Sequence, residues 1–242
     1  MDLLILAAGK GSRIYNKIRI NKCLLRVKGK TLLEKIISDA KSFDFIKKIK
    51  IVVGYKKENI INNLKFKNIT FLKNKDYEKK EMLHSLYVGL KNCKNDTLIT
   101  YSDIYFSKSI FKSMYKKSNN QIIIPVQKNW RQIWKKRRKD FFSDCESLRY
   151  DKRKYLLEIG KKITSLREVM GQYMGIIFIT KNKIKVITQL IERNKKDKKL
   201  QISQFLNRAI EDKMKIKCFI TKKYWYEFDD FNDLKNFHKS DF

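Results

Sequence analysis

The chain has 242 residues, 43% of them hydrophobic, which is enough for one sizeable core or at most two small ones. Its 57 Lys and Arg against 25 Asp and Glu give a formal net charge of +32, yet the lysines run along the whole chain instead of collecting on one element, which argues against a dedicated nucleic-acid surface. No stretch approaches the roughly 18 consecutive apolar residues of a membrane helix, and an acidic Asp2 with no basic run stands at the start, so no membrane span and a cytoplasmic location are expected.

Residues 3–6, LLIL, are too apolar and too short for anything but a buried strand, and they empty into Gly9, Gly11 and Arg13. Glycines there leave room for backbone N–H groups to face an anion, with Arg13 adding a full charge. A tight turn joining a core strand to a helix is the plainer reading of the same glycines. Neither GxxxxGK[ST] nor GxGxxG is completed, which disfavours a P-loop ATPase and an ordinary dinucleotide-binding domain. Residues 31–43, TLLEKIISDAKSF, predict a helix, because Thr31 and Glu34 form a capping box and Leu33, Ile36, Ile37 and Ala40 share one face. Strands are expected over 50–53, 69–72 and 97–101, with a helix over 82–90, so residues 1–105 form a repeating βα half. Ser102 and Asp103 then place a carboxylate at the carboxyl end of a central strand, where open α/β sheets bind ligands. Asp103 reads either as a metal ligand or as the cap of the next turn.

Further strands are expected over 121–126, 156–162, 171–179 and 216–220, and helices over 182–193 and 202–213. Residues 130–139, WRQIWKKRRK, are the densest basic cluster, read as a solvated helix face with Trp130, Ile133 and Trp134 turned inward in preference to a nucleic-acid or membrane-surface contact. Residues 225–234, WYEFDDFNDL, carry Asp229 and Asp230 from a short extended piece into a last helix. The alternation predicts an α/β fold, a central mixed, mainly parallel sheet flanked by helices, with nothing to divide residues 1–242 into separate domains. Cys23, Cys93, Cys145 and Cys218 are scattered without a CxxC, and His84 and His238 are the only histidines, so four reduced thiols are expected, not a disulfide framework, a structural zinc or a catalytic cysteine.

LAAGKGSR at 6–13 matches the signature of the glycosyltransferase-A-like, Rossmann-related nucleotidyltransferases; KCLLRVKGKTLLE at 22–34 resembles their lysine-plus-turn segment and VVGYKKENI at 52–60 their second strand and loop. YSDIYF around Asp103, DCESL at 144–148, EIGKK at 158–162 and GQYMG at 171–175 together resemble the choline-phosphate cytidylyltransferase-like branch, whose members activate phosphocholine, aminoethylphosphonate or phosphoglutamine for bacterial surface polymers. The resemblance implies that Leu6, Ala7, Ala8, Gly9, Gly11 and Ser12, with Arg13, hold the triphosphate of CTP and that Ser85 lies near the nucleotide. It implies that Lys22 contacts the α-phosphate or the acceptor phosphate, that Asp103 and Asp229 bind Mg²⁺, and that Lys161 or Lys162 meets the acceptor phosphate. Asp144, Glu146, Gln172 and Tyr173 would face the acceptor. Three departures stand out: Asn21 precedes Lys22 where sugar-phosphate members carry proline, Glu81 stands where relatives often have asparagine, and Asp230 beside Asp229 leaves the second metal ligand ambiguous by one residue.

Nucleotidyl transfer needs charge neutralisation and in-line alignment more than a proton-transfer residue, and a phosphate acceptor is already anionic near neutral pH, so scarce histidine is no obstacle. The expected reaction joins CTP to a small phosphorylated acceptor and releases pyrophosphate. Asp144 and Glu146, an acidic pair in a very basic chain, suit an ammonium group on that acceptor; ion pairs with Arg149 and Lys152 are the other reading. A sugar 1-phosphate nucleotidyltransferase and a non-catalytic basic nucleic-acid binder remain as alternative functions.

Overall fold

β1 (Asp2–Ala7) is buried along its whole length, and its alternating side chains feed two cores, Leu3, Ile5 and Ala7 on one face and Leu4 and Leu6 on the other. The chain continues through α1 (Ser12–Ile18), the short hairpin β2 (Arg26–Val27) and β3 (Lys30–Thr31), and α2 (Leu32–Lys41). β4 (Lys48–Val53), α3 (Lys57–Asn63), β5 (Ile69–Lys73), α4 (Met82–Leu90) and β6 (Thr97–Tyr101) complete the first half. After it come β7 (Ile104–Phe106), α5 (Ser109–Lys116), β8 (Ile122–Gln127), α6 (Trp130–Arg137), β9 (Glu146–Tyr150) and β10 (Leu156–Lys162). The last elements are β11 (Gln172–Tyr173), β12 (Ile176–Ile179), α7 (Lys181–Arg193), α8 (Ile202–Glu211), β13 (Ile216–Thr221), β14 (Trp225–Glu227) and α9 (Phe231–His238). The structure, a computed structural model, describes residues 1–79, 82–117, 121–137, 142 and 144–238; the expectations attached to Glu81, Arg138 and Lys139 lie outside the described residues.

β5, β4, β1 and β6 lie side by side and parallel, β12 joins antiparallel to both β6 and β8, and β13 runs parallel along β8. This is the mixed, mainly parallel sheet that strand–helix alternation predicts. Helices α2, α5, α6 and α9 cover the face that holds Leu3, and α4, α7 and α8 cover the face that holds Leu4. The expected strand over 171–179 is two strands: Gly175, at φ 70°, interrupts it, and a Cβ there would stand 2.7 Å from the Tyr101 ring.

α2 begins as its sequence predicts, with Thr31 Oγ1 accepting from the Glu34 amide at 3.1 Å and Glu34 Oε2 from the Thr31 amide at 2.7 Å. The cap is worth about 1 kcal/mol, whereas each of the buried Leu33, Ile36 and Ile37 contributes roughly 1.5–3 kcal/mol, so packing and not capping holds the helix. At the amino end of the sheet the buried Lys50 ammonium pairs with the Asp2 carboxylate and donates to the Asn92 carbonyl at 2.7 Å. No helix among the described residues is long and apolar enough to cross a membrane.

One pairing outside the main sheet positions the site. β14 lies antiparallel to β7, with Trp225 opposite Phe106 and Glu227 opposite Ile104, and the Phe228 amide donates to the Asp103 carbonyl at 3.0 Å. The C-terminal segment is thereby laid across the carboxyl end of β6.

Candidate active site

β1 ends at Ala7, and Ala8, Gly9, Gly11, Ser12 and Arg13 beyond it line a cleft of about 300 Å³ together with Leu6, Lys22, Tyr77, Met82, Ser85 and Asp229. Gly11 precedes α1 with φ 60° and ψ 46°, and a Cβ on it would stand 3.0 Å from Lys22 Cβ. Glycine is needed twice over, for the left-handed backbone and for the passage of the Lys22 stem. The Tyr55 amide donates to the Ala8 carbonyl at 3.0 Å, tying the loop to the end of β4, and Asn21 Nδ2 donates to the Tyr55 carbonyl at 3.0 Å. Ser85 is oriented by the fully buried Asn74, whose Nδ2 donates to Ser85 Oγ at 3.0 Å; no motif marks Asn74 in the sequence.

Across the cleft from the loop, carboxylate oxygens of Asp103, Glu227 and Asp229 lie within 4.8 Å of one another. Lys22 Nζ donates to Asp103 Oδ2 at 2.7 Å and to Asp229 Oδ1 at 3.5 Å, and Arg13 reaches the same Asp229 oxygen at 3.4 Å. Burial works against the charge on Lys22, but Asp103 and Asp229 outweigh it and hold the ammonium above its usual value. Burial also opposes ionisation of Asp229; Lys22 and Arg137 reverse this and lower it, whereas desolvation and the neighbouring Asp229 push the half-buried Glu227 well above the ordinary carboxylate range. Hard carboxylate oxygens around an ammonium, with Asp103 Oδ1 buried and without a hydrogen-bond partner among the described residues, fit a Mg²⁺-sized divalent cation.

Glu227 was not among the residues singled out from sequence. Its signal was available, since it stands two residues before Asp229 on an extended segment and so shares that segment's face. The neighbouring aspartates part company: Asp229 faces Lys22, while the Asp230 carboxylate accepts from the amides of Asn232 and Asp233 at 2.7 and 3.1 Å at the start of α9.

α6 turns Trp130, Ile133 and Trp134 inward as the pattern predicts, but its basic face is not wholly solvated. Arg137, one turn beyond Trp134, is buried and donates to Asp229 Oδ2 at 3.2 Å; the spacing 130, 133, 134, 137 already puts it on the apolar stripe. Gln172 on β11 is buried and Tyr173 is half-buried, edge-on to Tyr101 at 5.9 Å. The β9–β10 ribbon carries the remaining expected acceptor residues. Lys161 Nζ pairs with Glu158 at 3.2 Å, Lys162 stands opposite Glu146, and Asp144 precedes β9; none of the four lines the glycine-loop cleft. Burial raises the Glu146 carboxyl, against a hydrogen bond with Ser203 that lowers it, so this side chain is turned toward α8. None of the four buried cysteines is in a disulfide, and burial pushes Cys23 and Cys218 up to about 12 and Cys145 up to about 11, which leaves no thiolate among these three near neutral pH.

Residues 3–172 match the model of the MobA-like NTP transferase domain, a span that contains the glycine loop, Lys22, Ser85 and Asp103. The chain belongs to this family. As a MobA-like NTP transferase it is a nucleotidyltransferase, and it is 29% identical to a CTP:phosphoglutamine cytidylyltransferase of Campylobacter jejuni across 97% of this chain and 98% of that protein. Solved structures with the same fold include the inositol-1-phosphate CTP transferase from T. maritima, with a TM-score of 0.76, 19% identity and coverage of 98% of this chain and 95% of that one. Another is the CTP:phosphocholine cytidylyltransferase from Streptococcus pneumoniae, with a TM-score of 0.71, 20% identity and coverage of 98% and 97%.

Proposed function

We propose that this MobA-like NTP transferase is a Mg²⁺-dependent cytidylyltransferase that moves CMP from CTP to a small phosphorylated, amine-bearing acceptor, giving a CDP-linked product and pyrophosphate. The supporting observation is that Arg13, Lys22 and Asp229 line the glycine-loop cleft and that carboxylate oxygens of Asp103 and Glu227 gather with that of Asp229 within 4.8 Å; end-to-end similarity to a protein named for CTP and phosphoglutamine supports the choice of nucleotide and acceptor. In this reading the backbone from Ala8 to Ser12 and the Arg13 guanidinium bind the triphosphate, and Ser85, steadied by Asn74, lies against the nucleoside. A divalent ion held by Asp103, Glu227 and Asp229 would supply positive charge to the phosphate oxygens. Lys22 stands between these carboxylates and the loop, where its ammonium offsets the repulsion between two anions brought together. An acceptor phosphate oxygen forms the new bond to the α-phosphorus while the bond to pyrophosphate breaks, a step that needs alignment and charge and no protein base.

Gln172 and Tyr173 are the acceptor-side candidates inside the fold; Asp144 and Glu146 are proposed for the ammonium end and Lys161 or Lys162 for the acceptor phosphate. The product would serve decoration of cell-surface polysaccharide from the cytoplasm. The test is Mg²⁺-dependent pyrophosphate release, with CTP, UTP, GTP, ATP and dTTP set against phosphocholine, aminoethylphosphonate, phosphoglutamine and hexose 1-phosphates. Turnover with CTP and one amine-bearing acceptor is expected. Turnover with hexose 1-phosphates alone would overturn the acceptor, and an unchanged acceptor KM in Asp144→Asn and Glu146→Gln would remove those two residues from it.

A further inference from the structure

Arg137 closes α6, and unlike its exposed neighbours Lys135 and Lys136 its side chain is 0% accessible. Burying a guanidinium is costly unless it is paired, and here Nε and NH2 are paired with acidic residues of the C-terminal segment, while NH1 makes no hydrogen bond among the described residues. Nε and NH2 donate to Oδ1 and Oδ2 of Asp233 at 3.1 Å each, NH2 also reaches Asp229 Oδ2 at 3.2 Å, and NH1 stands 4.0 Å from Glu227 Oε2. Trp134 lies against the guanidinium at 4.5 Å and is itself stacked on Trp225, while Asn236 Nδ2 donates to the Arg137 carbonyl at 2.9 Å. The fork is therefore held from both α6 and α9, and a planar fork of donors fixes a carboxylate in a way a single ammonium cannot.

The two oxygens of Asp229 point to different partners. Oδ2 is held by Arg137, and Oδ1 is turned toward Lys22 and Arg13 at the cleft. We infer that Arg137 is a positioning residue that grips one oxygen of Asp229 so that the other is presented to the metal-holding cluster. This rests on the reading of Asp103, Glu227 and Asp229 as that cluster. Charge alone predicts the opposite effect, because a cation this close to three carboxylates repels a divalent ion, and its removal should then tighten metal binding. Positioning predicts that its removal weakens metal binding, so the sign of the change separates the two roles.

The test is binding of Mn²⁺ alone to the purified protein, followed by EPR well below each variant's unfolding temperature, with Asp103→Asn as the variant lacking a ligand. Arg137→Lys keeps the charge but not the fork, and it should bind Mn²⁺ about tenfold or more weakly than the wild type, as partners of metal ligands generally do when replaced. Arg137→Met should weaken binding at least as much despite the lost repulsion; if it fails to fold, Arg137→Lys alone decides. Wild-type affinity in Arg137→Lys, or tighter binding in Arg137→Met, overturns the positioning role while leaving the cluster intact. A wild type indistinguishable from Asp103→Asn overturns the metal cluster itself, and the positioning role with it.

Discussion

The glycine loop and the acidic cluster face each other across one cleft, but they are assembled differently. The loop is contiguous in sequence: Gly11 takes the left-handed turn, its carbonyl accepts from the Tyr15 amide at 2.9 Å, and β1 delivers it from a strand buried on both faces. The cluster is joined over long separations, with Lys22 bonded to Asp103 81 residues on and to Asp229 207 residues on, and Arg137 to Asp229 across 92 residues. The first can form wherever a core strand meets that turn, whereas the second exists only when β14 has docked on β7. Local order around the loop should therefore survive changes that dissolve the cluster.

The largest expected break is Asp103→Ala. Loss of several kcal/mol of transition-state charge stabilisation corresponds to a fall in kcat of about a thousandfold. Pyrophosphate release measures it, and retention of more than about a tenth of the activity would place the chemistry elsewhere. At the opposite end of the same sheet, Asp2→Asn leaves the buried Lys50 charge without its partner and should cost about 3 kcal/mol of stability, read as a lowered urea midpoint with kcat of the folded enzyme unchanged. Equal damage to kcat would mean that the two ends of the sheet are not independent.

Gly11→Ala sharpens the contrast on the loop side. A non-glycine residue in left-handed backbone costs about 1–2 kcal/mol, and the new methyl meets Lys22, so KM for the nucleotide should rise together with the loss of stability. A neutral variant would show that neither the backbone geometry nor the Lys22 path is needed. A separate effect is expected on pH dependence. The thiols of Cys23 and Cys218, raised to about 12, and of Cys145, raised to about 11, stay protonated in the fold after the same thiols of the unfolded chain have ionised near pH ~8.5. The unfolded state then binds fewer protons, so stability is fully present below pH ~8.5 and declines above it. Urea midpoints at pH 7.5 and 9.5 should show this fall, and a midpoint that rises instead would contradict the burial.

Periodicity and spacing made much of the fold legible. The capping box of Thr31 and Glu34, the apolar stripes of α2 and α6, and the alternation of strand and helix are short-range patterns whose physics lies within one element. Two features of the site were harder to read. Glu227 shares a face with Asp229 and Arg137 shares the stripe of Trp134, but in a chain of net charge +32 nothing local tells which opposite charge each will meet.

The amino-acid sequence by itself determined the strand-and-glycine loop, the helix caps, the α/β layering and the family, because each depends on residues close together or on a pattern that repeats. Only the tertiary structure set Asp229 against Lys22 with Asp230 at the start of α9, brought Glu227 beside Asp103, and gave Arg137 its carboxylate partners. Those choices follow from the pairing of β14 with β7 and the packing of α6 against α9, long-range contacts through which burial and charge compensation select one partner among many of the same residue type.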